Sequence, residues 1–409
     1  MRNGKIILHI YVALLMVSLY FIRFYGMPSY IDDVFYYFLL IILLWNVLVK
    51  KRFLSKGFLF LLAAFGLVVL LSFAFSSSYG IDIYYVFRDY FVLFAIVPIV
   101  TSLIDEESVD DFIGEFKMIW WLILLIASVI GFLVPNLNLA ITYVSDDGPN
   151  SLRLGSLLVN PNTFGYVLCI IYSLILDDLV RRFNIIYLIM FISVIVMLVL
   201  SGSRSALGIM VLITVMQYGL QKKKAVFVLT GIFVVFALYF TYASLVENGL
   251  LAGLDYVDRF SGEKMFYDKN REELWGGLWK YHFDKMTVLE KLFGGGASSV
   301  SRLSDDMGYN VLDSYYLKLI LEIGVIGLLF YVCLLMWFFF GAIMWVNSNQ
   351  SIEIRYTLVY PSIIMIVIVA GTTATILDVY PFNYLFLIFI SLYFVIRRAE
   401  SCDTCRVKL

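Results

Sequence analysis

Histidine, cysteine and charge are all scarce in this chain, and each shortage narrows what it can be. Among 409 residues there are two histidines, His9 and His282, and four cysteines. No group of His, Cys and carboxylate residues stands at ligand spacing, so no metal centre is indicated and no cofactor is expected. Cys169 and Cys333 lie in apolar runs and read as small hydrophobes. Cys402 and Cys405 form a C-x-x-C in the tail; without a second ligand pair this reads as a solvated, reduced thiol pair. Charged residues make up only 15% of the chain and the net charge is −1, which argues against a nucleic-acid partner. No internal repeat is evident, which disfavours folds built from duplicated halves.

What fills the chain instead is hydrocarbon. Hydrophobic residues are 62% of the total and the mean hydropathy is +0.91, far outside soluble globular composition. At about 20 apolar residues per crossing, twelve runs qualify: 6–24, 34–49, 57–75, 86–104, 116–134, 162–176, 184–200, 204–220, 225–246, a long run within 315–346, 356–376 and 380–396. The first resembles the apolar region of a signal peptide, but no small-x-small cleavage site follows, so it is expected to remain as an anchor. The predicted fold is an all-α polytopic membrane protein of about 12 transmembrane helices. Residues 1–246 carry helices 1–9, 247–312 form one large hydrophilic loop, 313–396 carry helices 10–12, and 397–409 are a tail.

Alternating the short loops separates the basic residues. With the amino terminus inside, the inner segments hold Arg2, Lys5, Lys50, Lys51, Arg52, Lys56, Lys117, Arg181, Arg182, Lys222, Lys223, Lys224, Arg355, Arg397, Arg398, Arg406 and Lys408. The short outer loops hold almost none, with Arg153 the clearest exception. The acidic segment from Asp105 to Glu115 is discordant, but acids contribute little to the positive-inside rule. Both termini are therefore expected in the cytoplasm, and the loop 247–312 outside. That loop carries Arg259, Lys264, Lys269, Arg271, Lys280, Lys285, Lys291 and Arg302, eight of the 30 basic residues, and reads as a lid that suits anionic substrates.

The unusual residues gather on the outer face. Asn160-Pro161-Asn162 reads as a helix cap, or as amide donors to a ligand at a helix start; the two are compatible. Ser201-Gly202-Ser203-Arg204 joins two apolar runs with almost no loop. This puts an ionisable guanidinium at the membrane boundary, where it is costly unless it is paired or snorkels to headgroups. A guanidinium fork suits bidentate phosphate contacts, and serine hydroxyls at a helix start add donors. Arg271 has neighbouring acids to pair with. Asp313, at the lid's exit, has helix capping as its plainest role. It is followed by Tyr315 and Tyr316 and by a span in which Gly324 and Gly327 allow close helix packing. Lys318 and Glu322, at i and i+4, are placed to pair.

Taken in order, Arg153-Leu-Gly-Ser, Val159-Asn160-Pro161-Asn162-Thr-Phe-Gly165, Leu200-Ser201-Gly202-Ser203-Arg204-Ser205-Ala206, Arg271 with Trp275, Leu292-Phe-Gly294-Gly295-Gly296, Asp313-Ser-Tyr315-Tyr316-Leu and Glu322-Ile-Gly324-Val-Ile-Gly327 resemble the bacterial O-antigen polymerase and O-antigen ligase superfamily. The resemblance covers essentially the whole chain. It implies a GT-C-like, metal-independent glycosyltransferase of the bacterial inner membrane, active on the periplasmic face. Both donor and acceptor would be undecaprenyl-pyrophosphate-linked oligosaccharides, with membrane lipids and a chain-length regulator protein as partners. Carried over, Arg204 and Arg271 bind the pyrophosphate, and Arg153, Asn160, Asn162, Ser201, Ser203, Tyr315 and Tyr316 line the substrate site. Ligases of the superfamily have a histidine where Asp313 stands, so the departure favours the polymerase branch, for O-antigen or capsular polysaccharide, with Asp313 as base or orienter of the acceptor hydroxyl. A ligase acting on lipid A core is the enzymatic alternative. A flippase for lipid-linked oligosaccharides is the non-enzymatic one, and it predicts charges throughout the core, whereas the spans read as nearly charge-free apart from Arg23 and Arg88.

Overall fold

The computed structural model describes residues 2–25, 37, 38, 41, 45, 56–75, 96–134, 137, 140–145, 148–221, 275, 276, 279, 283–296, 300, 314–348, 356–372 and 381–406. Eleven helices of six residues or more are seen among them: α1 (Arg2–Tyr25), α2 (Lys56–Phe75), α3 (Ile96–Leu103), α4 (Val109–Leu133), α5 (Pro161–Arg181), α6 (Ile185–Ser201), α7 (Arg204–Gln221), α8 (Val288–Phe293), α9 (Tyr315–Ser348), α10 (Val359–Ala370) and α11 (Phe382–Arg406). A two-stranded antiparallel hairpin, β1 (Ala140–Ser145) and β2 (Gly148–Leu154), precedes α5. Apart from α8, which lies in the loop 247–312, and the extension of α11 through the predicted tail to Arg406, the helices fall on the predicted apolar runs wherever those runs are described. Most of the segments 34–49, 86–95 and 225–246, and the greater part of the lid, lie outside the described residues.

Three of these helices are long and apolar enough to cross a membrane, those within Glu106–Gly131, Pro161–Arg181 and Tyr315–Asn347. The surface supports the same reading. On α4, Phe112, Phe116, Trp120 and Leu124 face inward, while Met118, Leu122, Ile126 and Leu133 are exposed at the same helical spacing. The face of α6 bearing Ile185, Ile189, Ile192 and Val196 is likewise exposed. In water such faces would be polar; an apolar exterior around an apolar core is the pattern of a bundle solvated by lipid. The protein is a helical membrane protein.

At the centre stands α5, buried along its whole length and packed by α4, α6, α7, α10 and α11. Side-chain pairs fix the directions of its neighbours. Tyr166 meets Ser205, Cys169 meets the Ala206 carbonyl, Tyr172 meets Thr214, and Gln217 donates to the Ser173 carbonyl, so α5 and α7 run parallel. Gln217 also donates to Ser362, while Arg181 and Asp177 meet Thr357 and Tyr356, so α10 runs against both. The start of α5, the start of α7 and the C-terminal end of α10 therefore share one end of the bundle.

The opposite end collects charge. Lys117 of α4 makes a buried ion pair with Asp178 in the last turn of α5, and the Tyr356 hydroxyl donates to the same carboxylate at 3.4 Å. Asp177 takes the Arg181 Nε–H at 2.9 Å and the Tyr356 amide at 3.1 Å, and Arg181 reaches the Thr357 hydroxyl at 3.2 Å. Nearby, Glu115 accepts from Lys5 at 2.7 Å and lies 3.0 Å from His9 Nε2. By sequence Lys117 is the second residue of the run 116–134, just past the acidic segment 105–115, and counts among the basic residues of the inner face. Helix α4 instead begins at Val109, so Lys117 sits two turns inside it, 2% exposed on its side chain, where only a paired charge is tolerated.

The long run after the lid is not one straight helix. Gly324 interrupts α9 with a non-helical φ of 72° and ψ of −178°. The rings of Tyr315 and Tyr331 touch, with centroids 5.4 Å apart. Sixteen residues of straight α-helix would separate them by about 24 Å, so the chain bends sharply at Gly324. The longer arm beyond it, 325–348, is the part long enough to span; the arm 315–323 folds back along it.

Candidate functional site

The end of the bundle where α5 and α7 begin unites three of the segments that the sequence singles out. Asn160 is the N-cap of α5. Its side-chain oxygen accepts from the amides of Asn162 at 2.8 Å and Thr163 at 3.4 Å, Pro161 occupies the first turn, and the Asn160 carbonyl accepts from Phe164 at 2.9 Å. The donors at the start of α5 are thus taken by its own cap. Before it, Ser156 and Val159 both have positive φ, 49° and 62°. For a β-branched residue this is a strained conformation that only tight surroundings maintain. Val159 is buried with Tyr20 and Ala127, and the Tyr20 hydroxyl donates to the Leu137 carbonyl at 2.6 Å, so α1 braces the approach to the cap. Ser156 is fully buried, and its hydroxyl has no hydrogen-bond partner among the described residues.

Four residues make the turn between α6 and α7. Gly202 adopts the left-handed conformation that ends α6, with its amide donating to the Val199 carbonyl at 2.9 Å. The Ser201 hydroxyl donates to the Leu198 carbonyl and accepts the Ser203 amide at 3.2 Å. Arg204 is the first residue of α7, half-buried; the Ser203 carbonyl accepts the first intrahelical bond, from Leu207, so the amides of the turn before it precede the helical ladder. Tyr166 holds Ser205 at 2.9 Å, and the Ser203 and Ser205 hydroxyls lie 3.4 Å apart.

Gly165 is what lets the two motifs meet. A Cβ there would fall 2.7 Å from the Ala206 Cβ and 3.2 Å from the Ser203 Cβ, so the start of α5 lies directly on the start of α7. Spacing alone gave no sign of Tyr166 and Ser205 as members of this cluster.

The third segment arrives through α9. The Tyr315 amide donates to the Gly371 carbonyl at 2.9 Å, and the Ser314 hydroxyl lies 3.5 Å from the same oxygen. Residue 314 is thereby fixed at the C-terminal end of α10, at the Arg204 end of the bundle. Tyr315 is buried against Tyr331 of the longer arm of α9, and Tyr316 donates its hydroxyl to the Ile368 carbonyl at 2.7 Å, so the first ring packs the two arms of α9 together and the second ties α9 to α10. Lys318 and Glu322 approach to 4.0 Å, as their spacing predicts. Arg271 and Asp313 lie outside the described residues. Of Arg153 the backbone is described, paired with Ile141 in the hairpin.

The described part of the lid is attached to the break in α9. Thr287 and Glu290 form a capping box that starts α8: the Thr287 hydroxyl accepts the Glu290 amide at 3.3 Å and the Glu290 carboxylate accepts the Thr287 amide at 2.8 Å. After α8 the Gly295 amide donates to the Leu321 carbonyl at 2.8 Å and the Gly296 amide to the Glu322 carbonyl at 3.2 Å. In an unbroken helix those carbonyls would accept from residues 325 and 326. Gly294 and Gly324 are pressed backbone against backbone, each with positive φ and no room for a Cβ. The glycines at 324 and 327 read as helix-packing positions in the sequence; the structure uses Gly324 to break the helix and receive the lid. No protein-family model matches this chain, and no curated protein matches it.

Proposed function

We propose that the protein is a glycosyltransferase that polymerises undecaprenyl-pyrophosphate-linked oligosaccharide repeat units into O-antigen or capsular polysaccharide at the periplasmic face of the bacterial inner membrane. The observation that carries the reading is the convergence of Asn160, Ser201 to Ser205 and the chain leading from Asp313 at one end of the bundle. Sidedness rests on charge: Lys5, Lys117, Arg181 and Arg397 lie toward the other end, which the excess of Lys and Arg assigns to the cytoplasm.

In this reading the donor pyrophosphate approaches α7. The amides that open α5 are taken by Asn160, whereas α7 opens with a guanidinium flanked by the Ser203 and Ser205 hydroxyls at the positive end of its helix dipole. Arg204, joined by Arg271 from the lid, stabilises the charge that grows on the leaving pyrophosphate, and such stabilisation supplies most of the rate gain in a transfer of this kind. The bond from the anomeric carbon to the phosphate oxygen breaks, a bond to the acceptor sugar hydroxyl forms, and Asp313 orients that hydroxyl or takes its proton. The buried charges of α4 and α5 do not favour a flippase: they are mutually paired at the end away from the site.

Expression of Arg204→Ala and Arg204→Lys in a deletion strain tests the proposal. Both are expected to abolish polymer and leave single-repeat caps, because a point charge does not replace a bidentate fork. Wild-type polymer in the lysine variant would remove the bidentate argument. Uncapped lipid A core with accumulated polymer in the deletion strain would replace the polymerase by a ligase.

A further inference from the structure

The lid helix α8 shows an apolar face to its surroundings. Val288, Leu289 and Leu292 are 73%, 49% and 39% exposed, while Glu290 on the other side is buried in its capping box. The helix packs against α2 and α9, two helices whose own outward residues, Leu67 and Leu70 on one and Ile326 and Leu329 on the other, are exposed and apolar. Its depth can be gauged from that contact. Phe65 of α2 stacks on Phe330 of α9, and Gly324, where the lid docks, is six residues from Phe330, about 9 Å along the helix. Six residues to either side of Phe65 remain within α2. The lid is therefore attached alongside α2 and not beyond its end.

We infer that α8 is an interfacial helix whose Val288, Leu289 and Leu292 face sits among the lipid acyl chains of the bilayer, anchoring the lid to the membrane. The backbone is prepared for that medium. In hydrocarbon an unsatisfied amide or carbonyl costs several kcal/mol, and here backbone groups at both ends of α8 have partners. Thr287 and Glu290 satisfy the start, Gly294 donates to the Glu290 carbonyl, and Gly295 and Gly296 donate into the break in α9. Lys291, the charged side chain at the helix end, lies over the Phe283 ring at 5.4 Å and reaches the Asp284 carbonyl at 3.5 Å. This assignment rests on α2 and α9 lying in the bilayer and is independent of the glycosyl-transfer reading.

Spin labels at Val288→Cys, Leu289→Cys and Leu292→Cys test it, in the full chain with Cys169, Cys333, Cys402 and Cys405 replaced, reconstituted in lipid nanodiscs. Collision with molecular oxygen and with a water-soluble nickel chelate is measured, against Leu329→Cys as the lipid-exposed reference and Lys285→Cys as the aqueous one. Labels on α8 are expected to match Leu329: oxygen-accessible and shielded from the nickel chelate at least several-fold relative to Lys285. Accessibility to nickel equal to that at Lys285 would place α8 in water and overturn the inference. Shielding from both reagents, with an immobilised spectrum, would mean that protein covers this face and would overturn it equally. Thermal unfolding at the temperature of the unlabelled chain establishes that the labelled variants keep the fold.

Discussion

Replacing Gly324 by alanine should detach the lid. The residue has φ 72°, a region that costs a residue with a Cβ about 1–3 kcal/mol, and the new methyl would meet the backbone carbonyl of Leu292, which cannot rotate away as a side chain would. Relief requires that the segment 292–296 move off α9. That movement breaks the Gly295 and Gly296 bonds to the Leu321 and Glu322 carbonyls, each worth about 0.5–1.5 kcal/mol net. The sum, about 2–6 kcal/mol, corresponds to a shift of roughly 30-fold to 10⁴-fold in the ratio of docked to undocked lid, at about 1.4 kcal/mol per tenfold. Hydrogen exchange on the peptide covering 287–296 reads this directly, and protection should fall by that factor. Gly294→Ala, with φ 93° and the Glu322 carbonyl in the way, should behave alike, whereas Gly276→Ala, with open space around it, should not. Unchanged protection in both Gly324→Ala and Gly294→Ala would refute the backbone-on-backbone docking, and with it the account of the break in α9.

The α5–α7 contact makes a paired prediction: Gly165→Ala should cost about 1–3 kcal/mol through overpacking against Ala206 and Ser203, while Gly208→Ala on α7, with nothing near its Cβ, should be neutral or stabilising, both read from thermal unfolding in detergent. Because Gly165→Ala also pushes on the turn that carries Arg204, polymer output should drop more than the stability loss accounts for. At the other end, Lys117→Met alone strands the buried Asp178 carboxylate and should cost about 3–5 kcal/mol, whereas Lys117→Met with Asp178→Leu should recover most of it. Asn160→Ala removes the cap of α5 and should cost about 1 kcal/mol, with Asn160→Asp retaining most of the stability, by the same unfolding measurement.

Helix positions were legible because hydropathy over 20 residues is a strong signal and lipid tolerates little else; α5, α6 and α7 begin within one residue of the predicted runs. The cap of α5 was legible too, since Asn160 precedes an apolar run and accepts the amide two residues on; Asn184, counted in the run 184–200, caps α6 in the same way. The break in α9 was not. Gly324 and Gly327 stand in a run whose composition is uniformly apolar, and a glycine that packs against a helix looks the same in sequence as one that breaks it. What separates them is the partner, Gly294 to Gly296, almost thirty residues away in a hydrophilic loop. The buried pair of Lys117 and Asp178 escaped for a related reason: each lies at the edge of a predicted apolar run, 116–134 and 162–176, where a charge ordinarily reads as solvated, and only the antiparallel packing of α4 and α5 removes both from solvent.

These two hidden features divide the molecule's labour. The pairs at the Lys117 end tie α4, α5 and the approach to α10 together with charge, so that the relative height of these helices is fixed to within a hydrogen bond. Once the heights are fixed there, the start of α7 and the end of α10 follow through contacts made along the bundle, Tyr172 with Thr214 and Gln217 with Ser362. At the Arg204 end the shape is carried by glycine instead: Gly165 sets the α5–α7 distance, Gly202 turns the chain into α7, and Gly324 receives the lid. The difference matters if, as proposed, the start of α7 takes a phosphate. An arriving anion competes for any cation that holds a structural ion pair, whereas it has nothing to offer a glycine packed against a neighbouring backbone. On the proposed function, a charged ligand would therefore come and go at the start of α7 without loosening the contacts that position it.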